Sequence, residues 1–250
     1  MDSLANALDS PEGPAAPGPL SRTLMRLLMK RATVIASERL ADRFRLITLE
    51  GPALEGVAWT PGQKIQIAMG SAFVTRTYTP IEWNAAAGRA CILGYAHGDG
   101  PGSAWVRGAE PGVECDVFGP RASLNVSRLS GPLAVFGDET AIGLAYALAH
   151  QDRNRSVACH FEVGDAASAA QVTAQLGIGD AVLFAKDRDE AHLDAMTTAL
   201  PALVGTGAAF VLAGKAGTVQ RLRQSLRRQG VPTARIATKA YWAPGKTGLD

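Results

Sequence analysis

The stretch HGDGPGSAW, residues 97–105, has residue types that can bind a phosphate through backbone groups. Gly100 and Gly102 lack side chains, so a ligand can approach the main chain closely. We expect Ser103 to cap a helix that begins near Ala104, with the free N–H groups of its first turn facing the anion. The alternative interpretation is an ordinary turn. The chain has neither the GxGxxG pattern of a Rossmann fold nor the full GxxxxGK[ST] pattern of a P-loop.

A second stretch, RTYTP at residues 76–80, has the alternation of a strand. Arg76 and Tyr78 are predicted on one face, with Thr77 and Thr79 on the other. An arginine fork suits a pyrophosphate, and a tyrosine ring can cover a flat heterocycle. A threonine hydroxyl can exchange a hydrogen bond with a ring nitrogen. The alternative interpretation is a strand that binds nothing, which is the usual case for this pattern alone.

The stretch FGDETAIG, residues 136–143, lies where a predicted apolar strand meets a helix. Such junctions are where parallel α/β sheets bind nucleotides. Asp138 or Thr140 can cap the helix, and Glu139 brings a negative charge to its start. A well-capped helix without a ligand is the alternative.

The stretch KAYWAPGKTG, residues 239–248, places two large aromatic residues, Tyr241 and Trp242, before a Pro-Gly turn and a lysine. One interpretation is an aromatic that closes over a cofactor ring. The other is a hydrophobic plug on the surface of the domain.

The elements that position these residues change character along the chain. Short strands separated by turns over residues 32–128 predict a small antiparallel barrel. Strand–helix alternation from residue 131 onward, with nearly continuous apolar strands, predicts a parallel sheet covered by helices on both faces. We therefore predict two domains, at residues 23–129 and 130–250, after a disordered segment at residues 1–22.

The composition excludes several classes of protein. Hydrophobic residues make up 47% of the 250-residue chain, which is enough for a buried core. The net charge of +2 is too small to indicate a nucleic-acid surface, and no apolar run is long enough to span a membrane. The three cysteines, Cys91, Cys115 and Cys159, have the spacing of neither a disulfide framework nor a metal site. We expect a cytoplasmic protein without a bound metal.

Over residues 32–248 the sequence resembles the siderophore-interacting protein family, a branch of the ferredoxin–NADP reductase-like flavoproteins. The resemblance rests on RTYT, HGDGPGSAW, VFGPRAS, GDETA, LAGKAGTVQRLRQSL and AYWAPGKTG. It implies an antiparallel β-barrel domain that binds FAD, followed by an α/β parallel-sheet domain that binds NAD(P)H. It also implies hydride transfer to flavin N5, then single-electron transfer to a ferric siderophore or other ferric chelate, with release of Fe²⁺.

The same resemblance assigns roles to particular residues. For the FAD pyrophosphate it implies Arg76, Gly100, Gly102 and Ser103, with His97 in the same cradle. For the ribityl chain and flavin ring it implies Tyr78, Thr79 and Trp242, and it counts Thr77 among the cofactor-binding residues. Where the nicotinamide approaches the flavin it implies Asp138, Glu139 and Thr140. The residues implied in the chemical step itself are Thr79, Thr140 and Trp242.

The chain departs from the family pattern at three positions. Ile81 and Ala243 stand where the family often has a basic residue, and Lys215 stands where it has a glutamate. Lys215, together with Lys239 and Lys246, could form a basic rim that attracts an anionic ferric chelate. Ordinary surface lysines are the alternative.

The choice of donor and of acceptor stays open at this point. Glu162 or Asp165 would favour NADH by bonding its ribose, whereas Lys186 and Arg188 could receive the 2′-phosphate of NADPH. The acceptor could also be a quinone, a free flavin or a redox protein, since a fold does not fix a function. A flavin- or siderophore-binding protein without turnover is a third possibility. The sequence does not indicate an oligomeric state.

Overall fold

The structure is a computed structural model that describes residues 29–69 and 74–246. The segment predicted to be disordered, residues 1–22, lies outside the described residues. Two sheets organise the described part of the chain. All antiparallel strands come before all parallel strands in the sequence. The predicted fold class, an antiparallel β-barrel followed by an α/β parallel sheet, is confirmed.

The first sheet has seven antiparallel strands: β1 Lys30–Ala41, β2 Phe44–Glu50, β3 Lys64–Ala68, β4 Thr75–Tyr78, β5 Pro80–Asn84, β6 Arg89–Tyr95 and β7 Glu114–Arg121. Their order in the sheet is β4-β3-β7-β1-β2-β6-β5. A short helix, α1 at Pro101–Gly108, connects β6 to β7. The pattern of short strands and turns predicted this sheet, but it did not separate β5 from β4, because only Thr79 lies between them.

Strand β2 lies between two hydrophobic cores. Ile47 and Leu49 are fully buried in the core of the barrel. Phe44 points to the other side, into a core that the barrel shares with the second sheet and two of its helices. Because residues on alternate faces of this strand enter different cores, the barrel and the α/β region pack directly against each other.

The second sheet has five parallel strands: β8 Leu133–Asp138, β9 Val157–Val163, β10 Val182–Ala185, β11 Ala209–Lys215 and β12 Ile236–Trp242. Their order in the sheet is β10-β9-β8-β11-β12. Its helices are α2 Ile142–Gln151, α3 Ala166–Gln175, α4 Ala191–Gly205 and α5 Ala216–Arg228. Helices α2 and α3 cover the face toward the barrel, and α4 and α5 cover the other face. Helices on both faces were predicted.

Strand β8 occupies the centre of this sheet, and every one of its residues is buried. The chain adds strands on one side of β8 up to β10 and then crosses to the other side for β11. At such a reversal the loops after neighbouring strands diverge and leave a crevice at the carboxyl ends of the strands. Asp138 is the last residue of β8 and therefore lies at this crevice.

Gly137 allows β8 to approach its neighbours closely. A Cβ at this position would lie 2.4 Å from the Ala141 Cβ and 2.4 Å from the backbone oxygen of Ala213. The second of these atoms belongs to the adjacent strand and cannot move without disturbing the sheet. The close packing under the crevice therefore requires glycine here.

We expect Gly137→Ala to lower the free energy of unfolding by about 1–3 kcal/mol, because the added methyl group overpacks a rigid site. Urea unfolding followed by circular dichroism measures the change. The matched control is Gly217→Ala on α5, where a Cβ meets no atom within 4 Å. That variant should be unchanged or more stable by up to about 1 kcal/mol. Equal destabilisation of both variants would contradict the packing described for β8.

Candidate functional site

Helix α1 begins three residues earlier than the sequence analysis predicted. Gly100 is its N-cap residue and Pro101 its first helical residue, so the helix does not start near Ala104. Proline suits a first position because its φ is fixed near the helical value and its missing N–H is not needed there. Ser103 is therefore not the cap. Its buried Oγ accepts a hydrogen bond from the N–H of Gly98 at 3.2 Å and folds the glycine loop back onto the helix.

Arg76 and Tyr78 both face the first turn of α1 from strand β4. The Tyr78 hydroxyl donates to the carbonyl oxygen of Gly102 at 3.2 Å, and its ring centroid is 5.3 Å from that of Trp105. A Cβ on Gly102 would lie 3.0 Å from the Arg76 Cγ. Burial raises the pKa of Tyr78, so its hydroxyl stays protonated and acts as a donor. Thr77 is exposed on the other face of the strand.

This corner has the features that a pyrophosphate requires. In the first helical turn, the N–H groups of Gly102 and Ser103 have no carbonyl partner four residues back within the helix. The Arg76 guanidinium uses one nitrogen on the carbonyl of Thr75 at 2.8 Å, which leaves other donors of the fork available. An ideal Cβ on Gly98 or on Gly100 meets no atom within 4 Å, so there is space beside the loop. The donors, the positive charge and the open backbone fit the phosphates of a dinucleotide.

The carboxylate of Asp138 is fully buried at the end of β8. Its Oδ1 accepts hydrogen bonds from the N–H of Thr140 at 2.9 Å and from the Thr140 hydroxyl. Its Oδ2 accepts from the N–H of Lys215 at 2.9 Å and from Nε1 of Trp242 at 2.6 Å. Burial raises the pKa of Asp138, and the hydrogen bonds from Thr140 and Trp242 oppose that rise. Asp138 caps a short 3-10 helix, Glu139–Ala141, that leads into α2. Helix α2 itself has Ala141 as its N-cap residue and no side-chain cap, so neither Asp138 nor Thr140 caps α2 as the sequence had allowed.

Glu139, the next residue, is 3% exposed and links the two sheets. Its Oε1 accepts from the N–H of Gly164 at 2.6 Å and from the Tyr95 hydroxyl at 3.2 Å, and its Oε2 is 2.6 Å from Nζ of Lys186. Tyr95 belongs to barrel strand β6, and burial is the main reason that its pKa rises to about 12. Sequence reasoning missed Tyr95, since nothing in the local pattern marks a contact across the two sheets.

The aromatic end of β12 closes the space between the barrel and the parallel sheet. The ring of Trp242 lies nearly parallel to that of His97, at 15°, with centroids 6.0 Å apart. Tyr241 accepts a hydrogen bond from the Thr79 hydroxyl at 3.3 Å, and burial raises the pKa of Tyr241 to about 12. Tyr241 was noticed in the sequence but was not predicted as a site residue. Successive side chains of a strand point to opposite faces. The adjacent pair Tyr241 and Trp242 could therefore have been predicted to place one aromatic ring on each side of the strand.

The three lysines of the predicted rim occupy different environments. The Nζ of Lys215 is 3.7 Å from the Glu190 carboxylate. Lys239 lies within β12, in register with Ala213, and Lys246 is exposed after the strand ends. A basic rim formed by these residues stays a prediction.

The residues considered for donor choice also have defined partners. Glu162 is fully buried, accepts a hydrogen bond from the Thr218 hydroxyl and lies 3.1 Å from Nε2 of His192, so it does not face a ribose site. Asp165 caps α3 by accepting from the N–H of Ser168 at 3.0 Å. The spacing rule that pointed to these acids counts residues but does not give side-chain direction. Arg188 is exposed, and Lys186 is paired with Glu139.

The described residues lack two kinds of feature. In residues 29–69 and 74–246, no three histidine, cysteine or acidic side chains group together as metal ligands. None of the helices in these ranges is both long enough and apolar enough to cross a membrane.

Comparison with known families gives two matches along the chain. Residues 67–124 match the family model described as siderophore-interacting FAD-binding domain, and residues 132–245 match the model described as siderophore-interacting protein. The matched ranges include β4, α1 and the whole parallel sheet. No curated protein sequence is a significant match to the chain.

Comparison with solved structures identifies the same architecture. A siderophore-interacting protein from Aeromonas hydrophila has a TM-score of 0.72 and 21% identity, over 88% of this chain and 93% of that one. A ferredoxin reductase of carbazole 1,9a-dioxygenase has a TM-score of 0.69 and 17% identity, over 85% and 68%. The flavohem-like FAD/NAD binding domain of a Vibrio cholerae nitric oxide dioxygenase has a TM-score of 0.64 and 16% identity, over 86% and 99%. These similarities show a ferredoxin reductase-like fold.

We expect Lys186→Met to lower the free energy of unfolding by about 1–3 kcal/mol, because it leaves the buried Glu139 carboxylate without its cation. Urea unfolding at neutral pH measures the loss. Arg39→Met is the control, since it breaks only an exposed pair with Asp42 and should cost at most about 1 kcal/mol.

The double variant Glu139→Gln/Lys186→Met should recover part of the loss, because it removes the buried charge as well as its partner. If Lys186→Met costs no more than Arg39→Met, or if the double variant recovers nothing, the two side chains do not form the buried pair described here.

Proposed function

Because the chain belongs to the siderophore-interacting protein family, we propose that it is an FAD-dependent NAD(P)H oxidoreductase that reduces a ferric siderophore or another ferric chelate. The observation that carries this proposal is the contact between the two halves of the candidate site. Thr79 and His97 of the barrel meet Tyr241 and Trp242 of the parallel sheet. A flavin held by the barrel and a nucleotide held by the sheet would therefore share one cleft.

The barrel residues that would hold FAD are those around α1. Arg76 and the N–H groups of Gly102 and Ser103 would bind the pyrophosphate, with His97 at the edge of the same loop. Tyr78 is held by its hydrogen bond to Gly102 and would present the remaining part of its ring to the flavin or ribityl chain. Bound FAD supplies the exchange between a two-electron nicotinamide donor and a one-electron iron acceptor.

The parallel sheet would bind NAD(P)H at its carboxyl edge, where nucleotides bind in folds of this kind. Thr140 lies in the turn that leads into α2, and Thr79 contacts Tyr241, the residue before Trp242. Each hydroxyl donates its proton to a protein oxygen, so each retains lone pairs that can accept a hydrogen bond from a ligand. The two threonines can therefore orient a carboxamide or a ring N–H.

Iron would enter as substrate and already chelated, since no protein ligand set for it exists among the described residues. One NAD(P)H carries two electrons, which is enough to reduce two ferric ions to ferrous ions. Hard oxygen ligands hold Fe²⁺ more weakly than Fe³⁺, so reduction favours release. The chelate is often anionic, and Lys215, Lys239 and Lys246 are the cations that we propose to attract it.

We expect the purified protein to take up FAD and to lose the visible absorption of the oxidised flavin when NADH or NADPH is added without oxygen. The absorption should return when a ferric siderophore is added, and a ferrous indicator should then report Fe²⁺. Comparison of the two nucleotides identifies the donor.

The alternative functions, a general reductase or a binding protein without turnover, predict different results in the same experiment. Return of the absorption with a quinone or an oxidised ferredoxin, but not with ferric siderophore, would identify a general reductase. Flavin that binds and is reduced by neither nucleotide would identify a binding protein. Failure to bind FAD would remove the proposed function altogether.

We expect Arg76→Ala to weaken FAD binding by about 10–100-fold, because a charge-assisted hydrogen bond to a phosphate is worth roughly 1.5–3 kcal/mol. Titration of the apoprotein with FAD, followed by flavin fluorescence, measures this. Arg89→Ala is the matched control, since Arg89 lies on the exposed part of β6 and pairs with Glu50. Equal FAD affinity in the two variants would remove Arg76 from the flavin site.

A further inference from the structure

Asp138 has no acceptor position left for a ligand. A carboxylate offers about four lone-pair sites. Each oxygen of Asp138 already accepts two hydrogen bonds, Oδ1 from the N–H and hydroxyl of Thr140 and Oδ2 from Lys215 and Trp242. All four hydrogen bonds come from donors of the protein itself. Asp138 therefore orients neighbouring residues and has no acceptor position free for a bound molecule.

The backbone of β11 is shaped to deliver one of these donors. Gly214 has a φ of +110°, which side-chain-bearing residues rarely adopt, and a Cβ there would lie 2.7 Å from Oδ1 of Asp138. The pairing of β11 with β12 shifts register between Gly214 and Lys215, so that Lys215 stands opposite Trp242. The irregular end of β11 therefore brings the Lys215 N–H and the Trp242 indole to the same oxygen.

The indole of Trp242 is held at two places. Its Nε1 donates to Asp138 at 2.6 Å, and its ring lies beside that of His97 on the opposite wall of the cleft. A tryptophan near the end of a strand can otherwise rotate about two side-chain torsions. A short, charge-assisted hydrogen bond at the edge of the ring selects one of these rotamers.

We propose that Asp138 is a positioning residue that fixes the indole of Trp242 between the barrel and the parallel sheet, and that it contacts neither FAD nor nicotinamide. Its effect on catalysis rests on the proposed function and passes through Trp242. An indole held in one orientation gives the cleft a constant wall against which a flat donor ring can be aligned. If the indole is released, that alignment is lost, whereas the pyrophosphate corner at Arg76 and α1 is unaffected.

The positioning itself can be tested on the protein without FAD. The chain has four tryptophans, so an amide-proton NMR spectrum of ¹⁵N-labelled protein contains four indole N–H signals. Trp242→Phe identifies its signal by removal. In the wild type, this signal should be shifted downfield and should exchange slowly with solvent. In Asp138→Asn, it should move upfield and exchange about tenfold faster or more, because a neutral amide oxygen replaces the carboxylate acceptor.

Two controls support this measurement. Asp152→Asn makes the same chemical change on an exposed loop and should leave all four signals in place. If Asp138→Asn does not fold, the wild-type spectrum still decides the question. A Trp242 signal that lies with the other indoles and exchanges rapidly would mean that no such hydrogen bond holds the ring, and the proposal would be wrong.

The consequence for catalysis has a separate readout. With FAD bound, Asp138→Asn should match the FAD affinity of Trp242→Phe, while reduction of the flavin at saturating donor slows by about tenfold or more relative to the wild type through misalignment. A loss of FAD affinity beyond that of Trp242→Phe would mean that Asp138 acts on the flavin site directly and would overturn its indirect role, as would an unchanged reduction rate. If the wild type is reduced by neither nucleotide, the proposed function fails, whereas the indole spectrum still decides the positioning role.

Discussion

Two adjacent buried carboxylates at the end of the central strand are the constraint on which the site depends. Asp138 is 0% exposed and Glu139 is 3% exposed. A buried carboxylate is tolerated only when hydrogen bonds or a cation replace the water that it has lost. The groups that bind these two carboxylates come from many elements. They lie in the turn after β8, at the ends of β9, β11 and β12, in the loop after β10, and in the barrel. Satisfying these two side chains therefore joins all five parallel strands and the barrel at one place.

The two carboxylates bind different parts of the molecule. Asp138 gathers donors from within the parallel sheet and its terminal aromatic, whereas Glu139 reaches outward to Tyr95 of the barrel and to Lys186. Both lie where the N–H groups of a turn and a following helix give a positive end, which lowers the cost of the buried charge. What remains available for a ligand is the opposite kind of group, namely hydroxyl lone pairs, glycine backbone and a guanidinium. The two buried carboxylates therefore fix the positions of the strands and the barrel around them, whereas neutral or positively charged groups face the cleft.

The two-sheet architecture could be predicted from the sequence, but the contacts around Asp138 and Glu139 could not. Periodicity and turn residues predicted the barrel and the parallel sheet, because both signals are local. The helix start at Pro101 was missed because Ser103 was the more obvious cap, although proline at the first position was the better signal. Contacts such as Tyr95 with Glu139 and Trp242 with Asp138 join residues 44 and 104 positions apart. Their partners are chosen by strand order and by β-strand register, which no local pattern encodes.

Lys215 stands where the sequence resemblance implies a glutamate. The side-chain charge at this position can change while the hydrogen bonds to Asp138 stay in place. Asp138 is bonded to the backbone N–H of Lys215, a group that any residue except proline supplies. The side chain is directed elsewhere, toward Glu190, which itself lies in the left-handed region with a φ of 57°. A lysine in place of the acidic residue of the family pattern therefore leaves the carboxylate network intact and alters only the charge at the edge of the sheet. Under the proposed function, this substitution can therefore change the preferred donor or acceptor, while the hydrogen bond that holds Trp242 is retained.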